Sequence, residues 1–410
     1  MKKSGVMRLY SSLPKFEDVR TWAEIDRKAL GENYVYLTQK IAAAVGATGK
    51  KPPTPICVVK ADAYGHGACN AVPVFLENGC RFFAVSAIEE AAEIRNICLV
   101  RGLDAKILIL GVTIPALAKK LAAYDIIATV PSLDYAKRLS DAAIEQGVKV
   151  RVHVKLDTGM NRLGFAAYGE DHAAKTAAEI AECAKLKGIK VEGMFTHFAE
   201  ADDGADGELD GATLRQAERF FMVKKHIDSL GVKIPFCHVC NSAAAIRFPQ
   251  LALDGVRLGV ALYGARPSEF FDLPVKPVMA LKTKIAHIHR IPAGEKISYG
   301  GSYTAKEERV IATLPIGYAD GFLRSYSGSF VGVSSENGSF DAPIVGRICM
   351  DQCMIDITDG ADRSPRVGDE VTLFGDKAER LYEIAERGGT IPYEVLCAVS
   401  SRVIRICDEE

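Results

Sequence analysis

The chain has 410 residues, of which 48% are hydrophobic and 25% charged, and its formal net charge is -1. That length argues for two domains with an ample core, and the near-neutral balance excludes a basic surface built for nucleic acid or an anionic membrane. No apolar run is long enough to span a bilayer, and the 11 cysteines, odd in number and scattered, read as buried thiols of a reducing cytoplasm rather than as a disulfide framework.

Residues 1–17 carry Lys2, Lys3, Arg8 and Lys15 but no continuous apolar stretch. A signal peptide is not expected there, and the segment is taken as an N-terminal extension without an assigned role. Residues 21–26 alternate like a strand, one that could pack with a later β domain, and Asp26 is placed to cap a helix running to about Ala44. From residue 55 to 262, short β-branched runs alternate with helical patterns. The runs are 56–60, 82–86, 106–111, 126–130, 150–156, 190–195, 236–241 and 255–259. Between them, 133–146 and 173–186 are alanine-rich with apolar residues at helical spacing, and 213–230 ends at Gly231, a helix stop. Eight such units predict a (β/α)8 TIM-like barrel across 18–267. The competing doubly wound sheet would carry G-x-G-x-x-G after its first strand, and Gly65 and Gly67 do not fit that pattern.

After Ser268 the texture changes to apolar alternation, at 281–291, 309–314, 330–333, 343–357, 370–373 and 402–407. Turn signals such as Asn337-Gly338 and Asp359-Gly360 punctuate it, with one helix near 381–386. Residues 268–410 therefore read as a mostly β C-terminal domain.

Active sites of such barrels form at the C-terminal ends of the strands. Lys60 ends the first run, on a small-residue loop where an amine can reach a pocket but not bulk water. Lys155, Asp157 and Arg162 lie at and past the fifth run, His197 past the sixth, Ser242 past the seventh, and Arg257 with Gly259 and Val260 at the eighth. Ser242 and the amides of Gly259 and Val260 could cradle a phosphate. Each residue also has a plainer role: Lys60 a snorkelling strand-end lysine, His197 a core histidine, Arg257 an ion-pair partner of Asp254, Lys155 and Asp157 a rim pair. Together on one rim, an amine nucleophile, a phosphate cradle, an imidazole and two guanidinium groups fit a phosphorylated aldehyde that forms an imine with lysine, pyridoxal 5'-phosphate (PLP). Cys237 and Cys240, with Cys349 and Cys353, have the wrong spacing for a common zinc ribbon, so no metal is expected.

These residues sit in longer motifs. Val58-Val59-Lys60-Ala61-Asp62-Ala63-Tyr64-Gly65-His66-Gly67 resembles the cofactor-lysine signature of bacterial alanine racemases. Lys155-Leu156-Asp157-Thr158-Gly159-Met160-Asn161-Arg162-Leu163-Gly164 resembles their fifth-strand motif, and Gly255-Val256-Arg257-Leu258-Gly259 with Leu262-Tyr263-Gly264 their eighth. Ser298-Tyr299-Gly300, Pro315-Ile316-Gly317-Tyr318-Ala319-Asp320-Gly321, Gly346-Arg347-Ile348-Cys349-Met350-Asp351 and Tyr393-Glu394-Val395 are similar to motifs of their β domain.

The resemblance implies a PLP-dependent racemase of L- and D-alanine, a cytoplasmic homodimer with active sites at the subunit interface, serving wall synthesis. It implies that Lys60 holds the cofactor and that Tyr299, delivered by the partner subunit, is the second acid/base. Arg257 would face the pyridine nitrogen, with Tyr64, Ser242, Gly259, Val260 and Tyr393 around the phosphate and His197 along the cofactor. Arg162 and Met350 would serve the substrate carboxylate, Tyr318 would narrow the entrance, and Lys155 would be open to carbamylation. Inverting a carbon centre needs a proton carrier on each face, and lysine and tyrosine have ordinary pKa values near 10.4 and 10. Serine or broader specificity, and a decarboxylase of the same fold type, are the alternatives. Tyr393 argues for a small side chain, and the cysteine-containing β-domain motif usual in such a decarboxylase is not evident, whereas Ser298-Tyr299-Gly300 is. A non-catalytic PLP-binding protein would lack the β domain.

Overall fold

The structure is a computed structural model that describes residues 19–202, 211–268 and 272–407. The expected extension, 1–17, lies outside the described residues. The chain divides into two compact units, one of Ile25–Met279 and one that joins residues 19–24 to Ala280–Ile406.

In the first unit eight strands run in the order Gly255–Leu258, Thr54–Val58, Phe82–Val85, Lys106–Ile109, Ile126–Val130, Val150–Asp157, Ile189–Phe195 and Cys237–His238. All neighbours in that series are parallel. The two ends meet where the Arg257 N–H donates to Cys240 O at 3.0 Å, so the sheet curls into a nearly closed (β/α)8 barrel. Strands covered outside by helices and filled inside by side chains are apolar on both faces, and every residue of Ile126–Val130 is buried. Val150–Asp157 departs from this: Val152, Val154 and Leu156 share one face, while His153, Lys155 and Asp157 share the other.

Local chemistry sets the helices. Asp26 Oδ1 accepts the Ala29 N–H at 2.7 Å and starts Arg27–Gly46. Ser132 Oγ accepts the Tyr135 N–H at 3.2 Å and starts Leu133–Glu145. Gly211–Ser229 stops before Gly231, whose φ of +74° most other residues avoid. Inside Arg27–Gly46, Asn33 is buried and donates to the carbonyls of Leu262 and Lys276 at 3.1 and 2.8 Å. It also accepts the Lys276 N–H at 2.9 Å, which fixes the chain as it leaves the barrel. Gly264 lets that chain pass: a Cβ there would lie 1.9 Å from Lys276 O.

The second unit is a nine-stranded sheet in the order His287–Ile291, Arg309–Leu314, Cys353–Asp356, Gly338–Val345, Phe330–Ser335, Glu370–Phe374, Met279–Lys284, Thr21–Ile25 and Ile404–Cys407. A small hairpin, Lys296–Ile297 with Tyr303–Thr304, accompanies it.

Some expected runs differ from the strands they contain. Residues 281–291 form two strands, because the chain leaves Glu370–Phe374 and joins Arg309–Leu314 at Ile285 and Ala286. The apolar alternation continues through that switch, so the pattern conceals it. Residues 343–357 likewise hold a loop: Gly346 has φ of +72°, and the Cys349 N–H donates to Gln352 O at 2.9 Å. Its Ile348 is buried, so the loop has strand-like composition. Only Cys237–His238 of 236–241 is strand, and Pro392–Ala398, a short helix opened by proline, was not anticipated. No described helix is long and apolar enough to cross a membrane.

Candidate active site

The first barrel strand ends at Val58, two residues short of the expected position, and the Val59 N–H still donates to Ala84 O at 2.9 Å. Lys60 therefore opens a turn instead of closing a strand. It is half-buried. The four residues after it, Ala61, Asp62, Ala63 and Tyr64, have φ between 51° and 54°, a left-handed turn built without glycine. Such backbone costs about 1–2 kcal/mol per residue and persists only where surrounding contacts over-determine it. Those contacts are present. The Ala63 N–H donates to Val59 O and the Gly65 N–H to Ala61 O, and Asp62 Oδ1 accepts the Ala68 N–H at 2.6 Å.

The turn ends at Tyr64, whose ring packs 4.9 Å from that of Tyr263. A Cβ built on Gly259 would lie 2.8 Å from the Tyr64 hydroxyl and 4.0 Å from Ser242 Oγ, so only glycine leaves room. The Gly259 N–H donates to Ser242 Oγ at 2.8 Å. Two hydroxyls, a backbone N–H and a gap kept open by glycine converge, with buried Val260 next in the chain. This donor set suits a phosphate ester.

Arg257 is buried on the inner face of its strand. Its guanidinium donates to Thr196 O at 2.7 Å and to His238 O and Val239 O at 2.9 Å each. No described carboxylate pairs with it, and Asp254 instead accepts the Cys237 N–H. Phe195 lies beneath two cations, 5.6 Å from the Arg257 guanidinium carbon and 5.5 Å from Lys155 Nζ. Burial pushes Arg257 down to about 10, which leaves it cationic at neutral pH.

Two imidazoles sit behind Arg257. A guanidinium can only donate, so His238 Nδ1, 2.8 Å from it, is an acceptor and its proton is on Nε2. That N–H then donates to His153 Nδ1 at 3.1 Å. Burial holds both rings neutral, His153 at about 3 and His238 well below its ordinary range, the latter also through the Arg257 charge. His153 was not singled out from the sequence. It stands two residues before Lys155 on the same strand, and the two-residue period would have put both on one face.

Lys155 is buried, donates to Leu156 O at 2.8 Å, and is pushed down to about 7 by burial, then by Arg257 and Arg162, against the opposing pull of Asp157. Asp157 Oδ1 accepts the N–H groups of Gly159 and Asn161, both at 3.0 Å, and so shapes the loop that carries exposed Arg162. Gly164 seats that loop, since a Cβ there would lie 2.6 Å from Asp157 N. His197 is held well below its ordinary range by burial and by Arg257, Lys155, Arg162 and Lys60, the cations of one barrel end.

The second unit carries Tyr299, Tyr318, Met350 and Tyr393. Tyr299 is 72% exposed, Met350 54% and Tyr318 40%, and their loops are tied together. Ser298, at φ of +67°, donates from Oγ to Arg347 O at 2.7 Å. The Tyr318 N–H donates to Cys349 O at 3.1 Å and the Ala319 N–H to Met350 O at 3.0 Å. Asp320, fully buried, pairs with Arg20 at 2.7 Å and accepts the Gly317 N–H at 3.1 Å, which locks the Tyr318 turn. Tyr393 is half-buried near the start of Pro392–Ala398.

Residues 25–267 match the family model described as alanine racemase, N-terminal domain, and 278–407 match alanine racemase, C-terminal domain. Alanine racemase 1 of Clostridium acetobutylicum is 41% identical over 398 residues, 95% of this chain and 96% of that protein. Alanine racemase of Desulforamulus reducens is 41% identical over 389 residues, 94% of this chain and 98% of that protein. Among solved structures, alanine racemase of Clostridium difficile 630 aligns with a TM-score of 0.84 and 39% identity, covering 95% of this chain and 96% of the other. That of Bacillus anthracis, with bound L-Ala-P, aligns with a TM-score of 0.82 and 32% identity, covering 95% of each chain. Both domains, in order and nearly end to end, match one kind of amino-acid isomerase, and the chain belongs to the alanine racemase family.

Proposed function

We propose that this chain interconverts L- and D-alanine, using PLP held by Lys60. The carrying observation is convergence at the C-terminal end of one barrel: Lys60 heading a braced turn, the Tyr64–Ser242–Gly259 cradle, and a buried Arg257 with which no described carboxylate pairs. The residues suit a phosphorylated aldehyde: an amine to tether it, hydroxyl and amide donors for its phosphate, a guanidinium for its ring nitrogen. When bound, the coenzyme supplies an electron sink that acidifies the substrate Cα–H. Purified protein incubated with each L-amino acid in turn is expected to act mainly on L-alanine, giving D-alanine read by a coupled D-amino-acid oxidase, with conversion of L-serine to D-serine a minor reaction. Racemisation led by another amino acid, or release of CO2, would replace this reading.

Lys60 takes or gives the proton on one face of the substrate, and the Tyr299 phenol acts on the other. An exposed phenol has no dry surroundings for proton transfer. A second copy of the chain therefore covers Tyr299, Tyr318 and Met350, and the active form is a homodimer. Arg162 and the partner's Met350 hold the carboxylate, while Tyr393 beside the phosphate leaves space for a methyl side chain and little more. The 11 cysteines, odd in number and scattered along the chain, fit a reducing cytoplasm, and the D-alanine formed would feed the ligases of wall synthesis.

Arg257 donates hydrogen bonds but cannot hand over its proton, so it keeps a facing pyridine nitrogen unprotonated. Arg257→Glu is expected to slow racemisation and to add transamination, seen as pyruvate in a chromatographic product partition. It should also lower the melting temperature, because a carboxylate would face three carbonyl oxygens. An unchanged partition in folded enzyme would count against this role.

Lys155 is proposed to carry a carbamate. Its amine, at about 7, is largely neutral just above neutrality, and a neutral amine can attack CO2 and release a proton. The product anion would lie between Arg257 and Arg162. Below about pH 6 the amine is protonated and the adduct should be lost, and near pH 8 it should form. NMR with isotope-labelled bicarbonate is expected to give a carbamate signal at the higher pH that is missing in Lys155→Met. Its absence from the parent would leave a plain amine.

A further inference from the structure

The chain holds four consecutive non-glycine residues in left-handed backbone directly after Lys60, and a single carboxylate from another helix reaches the first of them. Glu90 lies in the first turn of Ile88–Val100, where a glutamate ordinarily turns back to satisfy N–H groups at its own helix start. One oxygen does so: Glu90 Oε2 accepts from Ser86 at 2.7 Å and from Ala87 at 3.2 Å. The other leaves the helix. Glu90 Oε1 accepts the Ala61 N–H at 2.7 Å, across a separation of 29 residues.

We infer that Glu90 is a positioning residue for Lys60 and Tyr64. This rests on the proposed role of Lys60 and Tyr64 and deepens it. Ala61 is where the backbone changes hand, and its N–H has Glu90 as its partner. Two later donors of the turn are served by nearby backbone, Ala63 by Val59 O and Gly65 by Ala61 O. Asp62 ties the far side to Ala68. Without Glu90 the entry to the turn loses its charged acceptor, and strained backbone with one restraint fewer relaxes toward ordinary φ. Because Lys60 heads the turn and Tyr64 ends it, that relaxation would move the tether and the phosphate hydroxyl together. The same carboxylate ties the turn to Phe82–Val85 through Ser86, so two neighbouring strand ends share one anchor.

The test compares holoenzymes carrying Glu90→Gln and Glu90→Ala with Glu89→Gln, an exposed neighbour on the same helix. The amide of Glu90→Gln keeps one acceptor but points an NH2 at one of the N–H groups. Hydrogen exchange should show amides 61–67 losing protection in both Glu90 variants while residues 91–100 keep theirs. The turnover number should fall by about tenfold to 100-fold with KM for alanine little changed, as expected for a misplaced reacting group. The visible spectrum of bound coenzyme should shift, and Glu89→Gln should match the parent in all three readouts. If both Glu90 variants only melt earlier, with parental turnover, spectrum and exchange at 61–67, then Glu90 is a helix cap and the inference is wrong. The exchange experiment needs no substrate, so failure of the racemase reading would show separately, as a parent without racemisation.

Discussion

Lys60→Ala is expected to cut alanine racemisation by about 10,000-fold or more and to remove the visible absorption of lysine-bound coenzyme. Lysine is proposed to have two duties here, a covalent tether and one of two proton carriers, and each alone would be worth orders of magnitude. The fold should survive, because the brace around the turn uses backbone groups, Asp62 and Glu90, and none of it uses the Lys60 side chain. The cradle should survive too, since Tyr64, Ser242 and Gly259 do not depend on the amine. The variant should therefore still bind free PLP through its phosphate, detectable by equilibrium dialysis, yet show no turnover by the coupled D-alanine assay. Small primary amines should restore a measurable part of the activity, because they replace the nitrogen but not its placement. Racemisation within tenfold of the parent would rule out Lys60 as tether and proton carrier together.

The barrel was legible because its signal is redundant. Eight apolar runs with helical patterns between them admit few folds, and several runs could be misplaced by two residues without changing that answer. Sequence order also collects the ends of 54–58, 150–157, 255–258 and their neighbours on one rim, so Lys60, Lys155, Arg257 and Ser242 could be grouped before any coordinate. Geometry set by backbone handedness was not legible. Alanine and aspartate at 61–63 do not by themselves announce four successive left-handed residues, and one of the bonds that brace them comes from Glu90, 29 residues away. The His238–His153 chain behind Arg257 was missed because each histidine sits in a separate run, and they meet only across the intervening strand Ile189–Phe195, where Gly193 leaves room for the His153 ring. In the β unit, alternation ran through a strand switch at Ile285 and a loop at 346–352, since buried loop residues obey the same apolar rule as strands.

Tyr299→Phe removes one oxygen and is expected to lower turnover in both directions by about 100-fold to 10,000-fold, the span of a lost general acid/base. The phenyl ring should stay in place. Ser298 Oγ bonded to Arg347 O fixes the backbone before it, and Gly300 at φ of +72° turns the chain away after it. The loss is then chemical rather than positional, and KM should move less than turnover. The sharper expectation concerns symmetry. With carriers on opposite faces, removing one leaves the other able to exchange the Cα hydrogen of a single enantiomer. In deuterated solvent, label should still enter one enantiomer of alanine, through Lys60, while entry into the other falls with turnover. A lone carrier serving both faces would instead depress both exchange rates equally. Because the tyrosine is proposed to come from a second copy, mixing Tyr299→Phe with Lys60→Ala adds a check. Mixed dimers would hold one site with both residues intact and recover up to half the parental activity per mixed dimer. Recovery that tracks dimer exchange would support a shared site, and its absence at complete exchange would put both residues in one chain's site.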